Sequence, residues 1–125
     1  MIDNVWLERT QLMLGEEQLK RLRDKHVLIV GLGGVGAYAA EMICRAGINK
    51  LTIADNDIVQ ASNINRQLIA LHSTIGHSKA DLMLARLKDI NPNADITVFT
   101  DYVKDKAIYA LLDANYDYVI DAIDT

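Results

Sequence analysis

Residues 31–36 read Gly31-Leu32-Gly33-Gly34-Val35-Gly36, the spacing G-x-G-x-x-G. The cluster follows an apolar run and opens a helical pattern, the setting in which such glycines hold a phosphate. The first glycine makes a tight turn. The second lets the backbone approach an oxyanion that a Cβ would block. The third lets helix and strand pack closely. The helix start adds free N–H groups and a partial positive charge. Asp55 lies 19 residues after Gly36, at the end of a second apolar run. An acid there accepts hydrogen bonds from ribose hydroxyls. The plainer alternative is a tight strand-to-helix turn without a ligand. The signature points to a nucleotide but does not choose between a dinucleotide and ATP.

The polar stretch that begins at Asp55 makes that choice. Residues 55–67 run Asp55-Asn56-Asp57-Ile58-Val59-Gln60-Ala61-Ser62-Asn63-Ile64-Asn65-Arg66-Gln67. This density of amides plus an arginine has little use beyond the ribose acid of a dehydrogenase. It suits nucleotidyl transfer, in which charge builds on the α-phosphate and on departing pyrophosphate. Arg66 offers a planar fork to phosphate oxygens. Lys79 opens the next helical pattern, where a cation opposes the helix dipole and points to a nearby anion. Taken singly, Arg66 also fits a surface ion pair, and Asn63 and Asn65 fit loop caps.

These residues need a scaffold that brings them to one edge. Residues 5–14 and a short stretch around Leu19 and Leu22 are expected as two helices, separated at Gly15. Apolar runs at 26–30, 50–54, 96–99 and 118–120 are expected strands. Helices are expected over about 34–46, from Ser78 to near Asn91-Pro92, and over 105–113. Gly47 suits a helix C-terminal cap, and Ser78 with Asp81 a capping box. Strands alternating with helices give an α/β fold, an open, mostly parallel, doubly wound sheet. The expected division is a helical extension over 1–24 and a nucleotide-binding domain over 25–125.

The chain has 125 residues and a formal net charge of -4. That fits one domain and argues against a chain-wide basic footprint for nucleic acid, leaving room for a local patch. Cys44 has no intramolecular disulfide partner, and a reducing cytoplasm is the expected home. No apolar stretch reaches the ~18 residues of a membrane span. The opening Met1-Ile2-Asp3-Asn4 lacks the basic start and apolar run of a secretory signal. His26, His72 and His77 lack ligand spacing with each other or with Cys44, so no structural metal site is expected. Cys44 reads as a small core residue, not as a reactive thiol. The last residues, Asp121-Ala122-Ile123-Asp124-Thr125, come directly after the fourth strand, where a doubly wound sheet continues with a crossover. The expectation is one part of a longer chain.

Gly-x-Gly-Gly-x-Gly, then Asp-x-Asp, Ser-Asn-x-Asn-Arg-Gln and Gly76-x-x-Lys79, in this order and spacing, resembles the ThiF/HesA/MoeB family. The resemblance covers essentially the whole sequence. It implies ATP and Mg²⁺ as cofactors and attack of a substrate carboxylate on the α-phosphate. It places Gly31, Gly33, Gly34, Gly36, Asp55, Asp57, Asn63, Arg66, Gln67 and Lys79 in the ATP site. Arg66 and Lys79 would be catalytic, joined by Arg9, which in that family reaches into the neighbouring subunit's site and so implies a homodimer. Asp124 matches the family's metal-linked aspartate.

Within that family, three stretches look most like the tRNA threonylcarbamoyladenosine dehydratases. They are Glu8–Gly15, Val35–Glu41 and Asp121–Asp124. That likeness implies tRNA as substrate and adenylation of a threonine carboxylate beside the anticodon, then cyclisation with loss of AMP. A second reading is an adenylyltransferase for a ubiquitin-like sulfur-carrier protein ending in Gly-Gly. A third is an NAD-dependent enzyme or a non-catalytic nucleotide-binding module.

Overall fold

The computed structural model describes residues 2–101 and 106–123. Four strands, β1 (His26–Val30), β2 (Lys50–Ala54), β3 (Asp95–Phe99) and β4 (Tyr118–Asp121), form one parallel sheet in the order β3-β2-β1-β4. Val27 lies opposite Leu51 on one side and Tyr118 on the other, so β1 is central. Its five residues are all buried, as a strand covered on both faces requires. The chain steps outward from β1 to β3 and then returns past β1 to β4. The loops after β1 and β4 therefore diverge at the point where the strand order reverses, which is where open α/β sheets bind ligands.

Helices α3 (Gly36–Ala46) and α4 (Lys79–Ile90) make the β1–β2 and β2–β3 crossovers and share one face. Ala37, Ala40 and Cys44 of α3 and Met83 and Leu87 of α4 pack there with Val27, Ile29, Leu51 and Ile53. Cys44 is fully buried and its Sγ faces the Leu87 carbonyl at 3.7 Å. Burial pushes its thiol up to about 11, so it is an inert core group, as expected. Glu41 of α3 accepts from Arg86 of α4 and pairs with Arg45 at 3.3 Å, clamping the two helices. The Arg86 hydrogen bond holds the Glu41 carboxyl below its ordinary range.

Helix α5 (Lys106–Leu112) crosses to the opposite face, where Leu111 packs on Leu28, Val30 and Ala54. The chain between α5 and β4 is fastened to β1 through His26. Its Nε2 lies 2.8 Å from Thr52 Oγ1 and its Nδ1 3.2 Å from the Asn115 carbonyl. The His26 N–H donates to Asp117 Oδ2 at 2.7 Å, and the ring sits against Tyr116. Burial, reinforced by Lys50, lowers the His26 pKa.

Two expectations change in detail. The single helix expected over 5–14 is a 3₁₀ helix (Ile2–Leu7) continued by α1 (Glu8–Leu14). The break has a packing cause: Leu7, 1% exposed, turns in against the Gly47 cap of α3, while α1 buries none of its residues. Gly15, at φ +87°, then leads into α2 (Glu16–Arg23), whose Leu19 also packs on Gly47. In the Ser78 cap one arm forms, with Ser78 Oγ accepting from the Asp81 N–H at 3.3 Å. Among the described residues β4 has a sheet partner on one side only, and its Tyr118 and Val119 are 66% and 53% exposed. Among the described residues, no helix is long and apolar enough to cross a membrane.

Candidate nucleotide site

The glycine turn leaves β1 at Gly31, whose N–H donates to the Ala54 carbonyl at the end of β2 (2.8 Å). Gly31 has φ +95°, and a Cβ there would lie 2.8 Å from the Ala122 carbonyl oxygen. At Gly36 a Cβ would lie 1.6 Å from the Gly31 carbonyl oxygen. The first and last glycines are therefore demanded by the fold itself. Gly33 and Gly34 are different. A Cβ at Gly33 would meet only the Gln67 side chain, at 3.4 Å, and one at Gly34 only the stem of Arg66, at 3.8 Å. Between these two glycines and those two side chains lies a cradle. The start of α3 beside it has no side-chain cap, and the Ala37 N–H makes a long bond of 3.4 Å to the Gly33 carbonyl, so this helix start can still turn toward an anion.

Asp55 directly follows β2 and braces the cradle through its carboxylate. Its Oδ2 accepts from the Leu32 N–H and its Oδ1 from the Asp57 N–H, each at 2.7 Å. One carboxylate thus ties the glycine turn to the polar loop. Each oxygen keeps a lone pair, so the geometry leaves room for a ribose hydroxyl.

The polar loop folds by its own amides. Asn63 Oδ1 accepts from the Gln60 N–H at 2.9 Å, and the Asn63 carbonyl accepts from the N–H groups of Arg66 and Gln67. That turn lays Arg66 and Gln67 over the glycines. Arg66 Nη1 donates to the Ser62 carbonyl (3.1 Å) and to Asn65 Oδ1 (3.0 Å), so its exposed head is oriented in advance. Gln67 is 6% exposed, and among the described residues its buried Oε1 has no hydrogen-bond partner. A buried amide end without a partner costs on the order of 1–3 kcal/mol until something meets it.

Lys79 begins α4 beside the same loop. An antiparallel bridge between Ile58 and Ser78, with Lys79 N–H donating to the Asp57 carbonyl (3.1 Å), pins helix start to loop. The Lys79 side chain is 6% exposed and its Nζ lies 3.9 Å from Asp57 Oδ2.

The structure therefore gathers Gly31, Gly33, Gly34, Gly36, Asp55, Arg66 and Gln67 at one strand edge, with Asp57 and Lys79 alongside. Asn63 shapes the loop, its Oδ1 being taken by Gln60. Arg9 is not brought to this edge. It comes two residues after Leu7, and Leu7 packs at Gly47, at the opposite ends of the strands. Asp124 lies outside the described residues. Two participants escape sequence reasoning. The Ala122 backbone walls off Gly31, and the Leu32 N–H binds Asp55. Neither has a side-chain signature, because both act through main-chain atoms.

The ThiF family profile matches residues 8–125. The chain belongs to the ThiF family. Among its ThiF-family relatives, the tRNA threonylcarbamoyladenosine dehydratase of Bacillus subtilis (strain 168) is 42% identical over 94% of this chain and 46% of its own length. The molybdopterin-synthase adenylyltransferase of Escherichia coli (strain K12) is 39% identical over 88% of this chain and 43% of its own. The crystal structure of the E. coli tRNA N6-threonylcarbamoyladenosine dehydratase in complex with ATP superposes with a TM-score of 0.93 at 39% identity, covering 98% of this chain and 50% of that one. The ThiF-family chain described here spans about half the length of the curated relatives it matches. Its parallel α/β sheet is the Rossmann-like sheet of that dehydratase.

Proposed function

We propose that this chain is the ATP-binding half of an enzyme that adenylates the threonine carboxylate of threonylcarbamoyladenosine in tRNA, so that the group cyclises with loss of AMP. The observation that carries the reading is the cradle at Gly33 and Gly34, in a chain whose fold matches an ATP complex of such a dehydratase. The residues present fit ATP. The unpartnered Gln67 amide can turn either end toward a ligand, and the uncapped α3 start suits phosphate. Arg66 and Lys79 would stabilise charge as it develops on the phosphates, which is where most of the acceleration of such transfers arises. The Gly33 backbone would hold the nucleotide close, and Asp55 the ribose. Positioning by these fixed groups supplies the rest.

Mg²⁺ is part of the proposal. Among the described residues, no group of three or more His, Cys, Asp or Glu could hold a metal. A nucleotide-bound Mg²⁺ needs only one or two carboxylates beside the phosphates, and the family pattern nominates Asp124. A homodimer in the cytoplasm, with Arg9 serving the partner's site, completes the reading.

The 39% identity to a molybdopterin-synthase adenylyltransferase favours a second reading, activation of a sulfur-carrier protein's C-terminal carboxylate. One experiment separates the two. The full-length protein is incubated with ATP, Mg²⁺ and bulk tRNA, and AMP and the modified nucleoside's mass are monitored. Stoichiometric AMP with loss of one water from threonylcarbamoyladenosine is expected. AMP only when a carrier protein ending in Gly-Gly is supplied would move the assignment to the second reading. Absence of ATP binding would end both. Within the site, Arg66→Ala and Lys79→Ala are each expected to cut ATP turnover by ~10²-fold or more, with folding unchanged by circular dichroism.

A further inference from the structure

A cation at the first turn of a helix opposes the dipole, and burying its stem removes much of its hydration. Lys79 bears both burdens. Its side chain is 6% exposed at the start of α4. Among the described residues, the one carboxylate within ion-pair reach is Asp57, and at 3.9 Å it is beyond hydrogen-bond distance. The ammonium is therefore held in place by charge, and among the described residues no hydrogen bond claims its donors.

Asp57 is itself held from two directions. Its N–H donates to Asp55 Oδ1 (2.7 Å), and its carbonyl accepts from the Lys79 N–H (3.1 Å). Asp55 in turn accepts from the Leu32 N–H in the glycine turn. A continuous line of polar contacts thus runs from the phosphate turn through Asp55 and Asp57 to Lys79. The Asp57 side chain is 65% exposed, and among the described residues its one ion-pair partner is Lys79.

We infer that Asp57 is a positioning residue: it does not bind the nucleotide but aims the Lys79 ammonium at the cradle before the nucleotide arrives. This rests on the proposed ATP site and departs from the expectation that Asp57 is itself a nucleotide ligand. Because the carboxylate holds the ammonium without claiming its donors, an incoming phosphate meets an oriented cation at little cost in lysine rearrangement.

The test is a double-mutant cycle in the full-length protein, measuring AMP formation with ATP and tRNA. Asp57→Asn, isosteric and exposed, should leave the fold intact and lower kcat ~10-fold, with KM for ATP moving less than ~3-fold. In a Lys79→Ala background the same change should add less than ~2-fold, since the group it acts through is gone. Asp57→Glu should recover to within ~3-fold of wild type. Equal losses from Asp57→Asn in both backgrounds would overturn the positioning role while the ATP site stands. Absence of ATP binding by the wild-type protein would instead end the reading of the site itself, and wild-type turnover in Lys79→Ala would remove Lys79 from it.

Discussion

Gly36 and Gly33 belong to one motif but are glycines for different reasons, and substitution separates them. At Gly36 an added methyl meets the Gly31 backbone oxygen at 1.6 Å, and no side-chain motion relieves it. Gly36→Ala is expected to destabilise the fold by more than ~3 kcal/mol in urea unfolding. At Gly33 the methyl meets only the movable Gln67 amide. Gly33→Ala should keep stability within ~1 kcal/mol of wild type yet weaken ATP binding at least ~10-fold by calorimetry, because it fills the space a phosphate needs. Unchanged ATP affinity would show that the cradle is not the phosphate site. The sequence motif anticipated all four glycines. It also assigned Gly33 to the phosphate and Gly36 to helix–strand packing; what it lacked was the distance to what stands opposite each Cα. Asp55 was legible as an acid at a strand end. Its two backbone hydrogen bonds were not, since they are made to N–H groups that every residue but proline carries.

Helices α3 and α4 meet the sheet through apolar stripes and are joined to each other by a charged pair. Glu41 is buried between Arg86 and Arg45. Both arginines keep solvent contact, which moderates the cost of losing the clamp. Glu41→Gln is expected to cost about 1–2 kcal/mol by urea unfolding. At the other end of the sheet, His26 fastens the approach to β4. Its pKa is lowered from an ordinary 6.5 chiefly by burial, so the unfolded chain binds the proton more readily than the folded one. Its contribution is complete above pH 6.5 and is lost as pH falls through that value toward the lowered one. Between pH 7 and 5, stability should fall less in His26→Asn than in wild type; parallel curves would contradict the assignment. Helix and strand positions were largely readable from apolar periodicity. The break at Leu7 was not, because it depends on Gly47, forty residues away, offering a surface for that side chain.

At the scale of the whole molecule, every group that faces the cradle comes from the loop ends of one strand edge, whereas Arg9 is held at the other. If Arg9 serves a neighbouring copy, inactive Arg9→Ala and Arg66→Ala proteins should regain activity on mixing. Random pairing would give about a quarter of wild-type turnover, one working site in half of the dimers. No recovery after verified subunit exchange would place Arg9 outside the chemistry. The order β3-β2-β1-β4 has a further, practical consequence. Among the described residues β4 is bonded on one side, and its Tyr118 and Val119 are exposed. An apolar strand with an open row of N–H and C=O groups is a template for self-association. These 125 residues prepared alone should show light scattering that rises steeply with concentration and loses that rise when Val119 is replaced by lysine. The shelf life of such a sample would then be set by colloidal behaviour at one strand, well before the fold itself gives way.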